Sequence, residues 1–227
     1  LDSGVNYTNK YLENRILLGY NFVDNNEEVM DNFGHGTHVA GIVCDGTANN
    51  VKILPVKVLN DSGKGSLLYV RSGIYYAIEN GAEVINLSLG GAGYASVYQE
   101  AINIATNDAG ITVVAAAGNK NTDSAYYPAD YDNVVSVVGV DGNNNKIEVS
   151  NFGISKDICA PGNIACTTST NSTYGSAYGT SIAAPFVSAT VAMMRTVMIS
   201  DPDLALRILI RTATDLGVEG KDEIFAN

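Results

Sequence analysis

Two apolar runs limit what this chain can become: residues 111–117, Ile-Thr-Val-Val-Ala-Ala-Ala, and residues 134–140, Val-Val-Ser-Val-Val-Gly-Val. Neither alternates apolar with polar, so each must be covered on both faces. Strands of that kind belong to parallel sheets, whose neighbours are joined by crossovers long enough to hold a helix. The intervening segments supply such helices. Leu67, Val70, Ile74, Ala77 and Ile78 recur at helical spacing and stop at Asn80-Gly81, and residues 97–109 do the same and stop at Gly110. Further strands are expected at 51–59, 84–89 and 158–161, with a short pairing piece inside 15–23. Residues 162–178 read as a Ser/Thr/Gly/Tyr-rich loop. A helix follows it, and a last one spans about 203–214 with Pro202 near its first turn. The expected fold is α/β, a three-layer arrangement with a mostly parallel central sheet and helices on both faces.

With 46% of its 227 residues hydrophobic and no linker or repeat, the stretch 1–227 reads as a single domain. It opens on Leu1-Asp2 without an initiator Met and closes without a stop signal, so the domain is expected to be truncated at both ends. Thirteen basic against twenty-four acidic side chains give a net charge of −11. That balance excludes nucleic acid and anionic membranes as partners, because phosphate binding needs a basic footprint. No run reaches the length of a membrane span. Cys44, Cys159 and Cys166 are an odd set; Cys159 and Cys166 can pair or remain small buried thiols.

The chemistry gathers around Gly179-Thr180-Ser181-Ile182-Ala183-Ala184-Pro185. A serine there stands at the N-terminus of a buried helix, where free backbone N–H groups and the helix dipole favour a negative oxygen. A lone serine at a helix start is more often an N-cap. Three other sites change that balance. Asp2 ends a strand before Ser3-Gly4, which alone reads as a turn. His35 lies in Gly34-His35-Gly36-Thr37-His38 ahead of an apolar helix. Asn119 follows the run 111–117 through Gly118. A serine nucleophile needs an imidazole to take its proton, a carboxylate to orient that imidazole, and donors for the oxyanion. All four are present. The chain order Asp, His, Ser excludes the α/β-hydrolase order, since no histidine follows Ser181. A zinc site on His35 and His38 lacks a third ligand at a familiar spacing.

These motifs, Asp2-Ser3-Gly4, His35 to Gly41, Ala115 to Asn119 and Gly179-Thr180-Ser181-x-Ala183-x-Pro185, resemble those of the subtilisin-like serine proteases, the subtilases of peptidase family S8. The resemblance runs over essentially the whole chain. It implies a serine endopeptidase of broad specificity with Ser181 as nucleophile, His35 as general base and acid, and Asp2 as orienting carboxylate. Asn119 and the Ser181 N–H form the oxyanion hole. It also implies that a protein or peptide substrate binds as an extended strand between Gly63-Lys64-Gly65 and Ser88-Leu89-Gly90. Ala117, Gly118 and Tyr126 then wall the primary pocket. An N-terminal prosegment, a monomer and secretion to the extracellular space follow from the same resemblance, with a cytoplasmic branch as the alternative. A catalytically silent binding module on the same scaffold is the rival reading.

Departures from the family pattern carry expectations of their own. Ile182 replaces the usual methionine after the nucleophile. Tyr126 stands where a small residue is common, and its ring either narrows the pocket or turns to solvent; a large apolar or aromatic side chain before the cut is expected. No cofactor is required for catalysis. The family's tight calcium site is expected to be absent, because Tyr11 replaces its aspartate and its loop is reduced to about 45–50. Asp141 and nearby carbonyls are the one place left for a weaker cation.

Overall fold

The computed structural model describes residues 1–168, 171–197 and 201–225. The elements are β1 (Tyr20–Asn21), α1 (His35–Asp45), β2 (Val56–Lys57), α2 (Leu67–Glu79), β3 (Val84–Leu87), α3 (Ser96–Asn103) and β4 (Thr112–Ala116). There follow β5 (Val134–Val140), β6 (Ile158–Pro161), β7 (Asn163–Thr167), β8 (Tyr174–Tyr178), α4 (Thr180–Thr196) and α5 (Pro202–Thr212).

Strands β3, β4, β5 and β6 pair in that order, all parallel. Val113 and Ala115 face one core with Ile74 and Ala77 of α2 and with Ala101 and Ile102 of α3. Val114 and Ala116 face the other, with Ala183, Ala184, Val187 and Val191 of α4. The double covering inferred from the run 111–117 is therefore met by helices on opposite faces. Its three alanines have high intrinsic helix propensity. That preference is worth under about 0.7 kcal/mol per residue, whereas burying one Val fully contributes about 1.5–3 kcal/mol. Packing decides the state.

Differences from expectation lie at the margins. Within 51–59 only Val56–Lys57 joins a ladder, in parallel register with Tyr20–Asn21. Helix α3 continues as a π-helical turn, Ile104–Asp108. The loop expected at 162–178 contains the antiparallel hairpin β7–β8, with Asn163 opposite Tyr178 and Thr167 opposite Tyr174. On β8 the exposed positions are Tyr174, Ser176 and Tyr178, and Gly175 and Ala177 alternate with them, so no run of large apolar residues announced the hairpin. Helix α5 begins where Asp201 accepts from the Asp203 and Leu204 N–H groups.

The first residues enter this sheet. Asp2 N–H donates to Val56 O at 3.1 Å, Val58 N–H returns a bond to Asp2 O at 2.9 Å, and the Leu1 amino group donates to Asn86 O at 3.2 Å. Asp2 thus sits between β2 and β3, at the end of the strands where α/β sheets gather functional groups.

Candidate active site

His35 is the first residue of α1, and its Nδ1 lies 2.8 Å from Asp2 Oδ1. Oδ1 also accepts from the Ser3 N–H at 2.7 Å. An imidazole held through Nδ1 has Nε2 as its free base atom. Burial disfavours the imidazolium, but the Asp2 carboxylate, its hydrogen bond and the Asp31 carboxylate outweigh that, so the His35 pKa lies above its ordinary value. Burial likewise pushes the Asp2 carboxyl up, and the His35 charge and the His35 and Ser3 hydrogen bonds bring it below the usual carboxylate range.

Asp31, buried and not foreseen from the sequence, joins these two segments. Its Oδ1 accepts from the Ser3 hydroxyl at 2.8 Å and the Gly34 N–H at 2.7 Å, and its Oδ2 from the Thr37 N–H at 2.8 Å and the Thr37 hydroxyl at 2.6 Å. One carboxylate therefore serves the start of α1, where free N–H groups and the dipole favour an anion, and clamps it to the Asp2 loop. Buried Lys57 holds the same loop from below, its Nζ donating to Ser3 O at 2.6 Å and to Asp61 at 3.1 Å. The signal for Asp31 was its spacing of four residues from His35, which reads in sequence only as one more polar loop residue.

Ser181 lies in the first turn of α4, but Gly179 is the N-cap, with no side-chain cap bond. The N-cap reading of Ser181 is thereby removed, and its hydroxyl is not used to start the helix. Helices α1 and α4 lie side by side and run the same way, with Ile42 and Ile182 in one buried cluster and Gly46 facing Ala189. His35 and Ser181 are thus at the same end of neighbouring helices. Pro185 has no N–H for the carbonyl four residues earlier, that of Ser181. The Ser88 hydroxyl donates to that carbonyl instead, at 2.7 Å.

Asn119 is oriented by Thr180, the residue before Ser181. Its Oδ1 accepts from the Thr180 N–H at 2.9 Å and the Thr180 hydroxyl at 3.1 Å, and Thr180 Oγ1 in turn accepts from the Gly118 N–H at 3.1 Å. With Oδ1 so occupied, Nδ2 is left as the outward donor, next to Gly179. The Ser181 N–H belongs to the helix's first turn, which has no intrahelical acceptors.

A cleft of about 690 Å³ runs from His35 past Gly63, Lys64 and Gly65 on one side and Ser88, Leu89 and Gly90 on the other. The β3 ladder stops at Leu87 and pairing resumes only at the Gly91–Tyr127 bridge. Main chain at 88–90 is thus open for an added strand. The cleft is also lined by apolar Leu59, Leu67, Val70 and Tyr98, which the sequence places only in the strand 51–59 and the helices that begin at 67 and 97. Ala117 is fully buried behind Gly118. The Tyr126 ring takes the inward of its two expected placements and lies against both Gly90 and Gly118.

The residues at the family's tight calcium position do not fit a cation. Tyr11 packs edge-on against Tyr174 at 5.1 Å, and the Tyr174 hydroxyl donates to Asp45 at 2.8 Å. The shortened loop is held by a guanidinium: buried Arg15 donates to Val51 O at 2.6 Å, Cys44 O at 3.3 Å and Thr47 Oγ1 at 2.7 Å. Asp141 closes its own turn, Oδ1 accepting from the Asn143 N–H at 2.8 Å and the Asn145 N–H at 2.9 Å. Among the described residues, no group of three or more His, Cys, Asp or Glu is placed to hold a metal ion. All three cysteines are free thiols, and burial pushes Cys44 and Cys166 each up to about 11. No helix among the described residues is long and apolar enough to cross a membrane.

Known proteins resemble this chain in sequence and in fold. Thermitase of Thermoactinomyces vulgaris is 41% identical over 203 residues, 86% of this chain and 72% of thermitase. A thermophilic serine proteinase of Bacillus sp. (strain AK1) is 40% identical over 86% of this chain, which spans 50% of that protein's length. Subtilisin Savinase of Lederbergia lenta is 37% identical over 96% of this chain and 82% of its own. The crystal structure of a cold-adapted subtilisin-like serine proteinase superimposes with a TM-score of 0.90 at 32% identity, covering 99% of this chain and 84% of that one. That of a lanthipeptide protease gives 0.90 at 27% identity, covering 99% and 81%. A sequence model of the subtilase family matches residues 1–227 from end to end, and the chain belongs to that family of serine proteases, peptidase S8.

Proposed function

We propose that the chain is the catalytic domain of an endopeptidase that cuts protein substrates through an acyl-enzyme, with Asp2, His35 and Ser181 as its triad. The observation that carries this reading is the His35 Nδ1 to Asp2 Oδ1 bond of 2.8 Å at the same end of the fold as the uncapped Ser181. In the proposed reaction the Ser181 hydroxyl attacks the scissile carbonyl while His35 Nε2 takes its proton. That proton then passes to the departing amine, and water repeats the sequence to release the acid. Asp2 keeps the tautomer and stabilises the imidazolium. The Asn119 Nδ2 and the Ser181 N–H receive the oxyanion. Substrate lies extended between 63–65 and 88–90, its main chain pairing with both edges. Catalysis needs no cofactor.

A secreted monomer that binds a prosegment in the same cleft fits this reading; a cytoplasmic enzyme is the alternative. The test is a fluorophosphonate probe on full-length protein. Labelling lost in Ser181→Ala and unaffected by chelator supports the proposal. No labelling of folded protein favours the silent binding module, and chelator-sensitive hydrolysis favours a metal enzyme.

A further inference from the structure

The slot between Gly90 and Gly118 is, on the reading above, where the side chain before the scissile bond would enter, and in this chain Tyr126 already stands in it. A methyl group placed on Gly90 would lie 2.5 Å from Tyr126 Cε1, and one on Gly118 would lie 2.8 Å from Tyr126 Cδ1. The ring therefore touches both walls at once. Gly118 has φ +103°, a backbone conformation closed to most side chains, so that wall cannot be rebuilt around a larger residue without strain.

The main chain carrying the ring is pinned on both sides. The Tyr126 N–H donates to Asp130 Oδ2 at 2.7 Å. Asp130 is itself gripped by Lys156, which is fully buried and donates to both carboxylate oxygens, and by the Ser155 hydroxyl at 2.6 Å. The next residue, Tyr127, exchanges both backbone hydrogen bonds with Gly91, at 2.7 and 2.8 Å. Its ring turns the other way, onto Tyr131 at 4.6 Å and Tyr94 at 5.4 Å. Only rotation of the Tyr126 side chain itself would clear the slot, and that exposes an aromatic face now half-buried against two glycines.

We infer that Tyr126 is a specificity-determining residue that closes the primary pocket, so that the enzyme cuts after small residues such as Gly, Ala or Ser and rejects Leu, Phe and Tyr. This inference rests on the proposed peptidase function and replaces the preference for a large apolar or aromatic side chain expected from the sequence. The reason is steric: a filled slot excludes added methylenes one by one, each worth roughly 10- to 200-fold in discrimination.

The experiment measures kcat/KM of the full-length protein on peptide anilides that differ only at the residue before the cut: Gly, Ala, Leu, Phe and Tyr. Ser181-dependent fluorophosphonate labelling is scored in parallel. Ala is expected to exceed Phe by roughly 100-fold or more. Tyr126→Gly is expected to raise Phe and Leu cleavage by a similar factor, while Tyr126→Phe keeps the wild-type order, since the ring and not the hydroxyl fills the slot. Labelled enzyme that cuts after Phe as well as after Ala overturns the role of Tyr126 and leaves the peptidase reading standing. Absence of Ser181-dependent labelling overturns both. Should Tyr126→Gly fail to fold, the wild-type panel and Tyr126→Phe still decide.

Discussion

The Ser88 hydroxyl donates to the Ser181 carbonyl at 2.7 Å, the carbonyl that Pro185 deprives of its helical donor. One residue of the open strand beyond β3 is thereby tied to the helix turn that carries the proposed nucleophile. Ser88 Oγ is itself held by the Asn86 Nδ2 at 2.9 Å. The proline inside α4 has a consequence here: its missing N–H leaves the Ser181 carbonyl free to accept from the Ser88 hydroxyl.

Ser88→Ala is expected to lower kcat/KM by roughly tenfold, the cost of about 1.4 kcal/mol for one buried acceptor left unpaired. In a Pro185→Ala background the helix regains its donor to Ser181, so the same Ser88 change is expected to do less. A double-mutant cycle measures the coupling, and strict additivity contradicts the link.

In the proposed mechanism His35 acts as the neutral base, so kcat/KM is expected to rise with pH through an apparent pKa above the ordinary imidazole value of 6.5. Burial opposes the charged ring, but Asp2 and Asp31 both favour it, and the His35 charge in turn helps to hold His38 below its ordinary value. Removing one anion in Asp31→Asn moves this acid limb to lower pH. The sign for stability is the reverse of that for activity. The raised His35 pKa stabilises the fold at pH below 6.5, and this contribution is lost as pH rises through the folded value. A pH–rate profile of both proteins checks the shift, and an unmoved limb would refute it.

Asn119→Ala is expected to reduce kcat by about 10²–10³ with little change in KM, a magnitude carried over from subtilisin itself. Thr180→Val keeps the backbone bond to Asn119 Oδ1 and loses the hydroxyl one, so a smaller fall, about tenfold, is expected with the same kcat-only signature. Steady-state kinetics separate the two parameters.

Chelator is expected to leave the melting temperature within a few degrees, because Arg15 supplies a fixed cation where the shortened loop folds back. Replacing Arg15 by Met strands the Cys44 and Val51 carbonyls. About 2–4 kcal/mol is at stake, or roughly 5–15 °C for a domain of this size. Calorimetry with and without chelator tests both statements.

Peroxide is expected to leave activity intact at doses that oxidise an exposed methionine. Ile182 beside Ser181 has no sulfur, and the buried thiols of Cys44 and Cys166, both near 11, carry almost no thiolate at neutral pH. Rapid inactivation with oxidation mapped next to Ser181 would contradict this.

The central sheet was legible because a run such as 134–140 has only one environment that suits it, burial on both faces. The motif residues were legible because Asp2, His35, Asn119 and Ser181 each lie within two residues of a glycine at the end of a buried element. Asp31 and Lys57 were not legible. A buried charge with its partners on other segments looks, in one dimension, like any surface charge. The β7–β8 hairpin was hidden because its stability comes from backbone ladders, with outward positions that tolerate polar residues. The Tyr126 ring had two placements of similar standing, and only the contact with Gly90 and Gly118, distant in sequence, separates them.

The Lys156–Asp130 pair has a consequence for the conditions under which the cleft keeps its shape. The chain's −11 net charge lies mostly on groups that dissolved ions can screen within about 10 Å. The buried ammonium under Tyr126 is out of their reach. Brine will therefore alter how fast charged substrates arrive and leave the aperture that gauges them unchanged, so the order of preferred residues should be the same in dilute buffer and in strong salt.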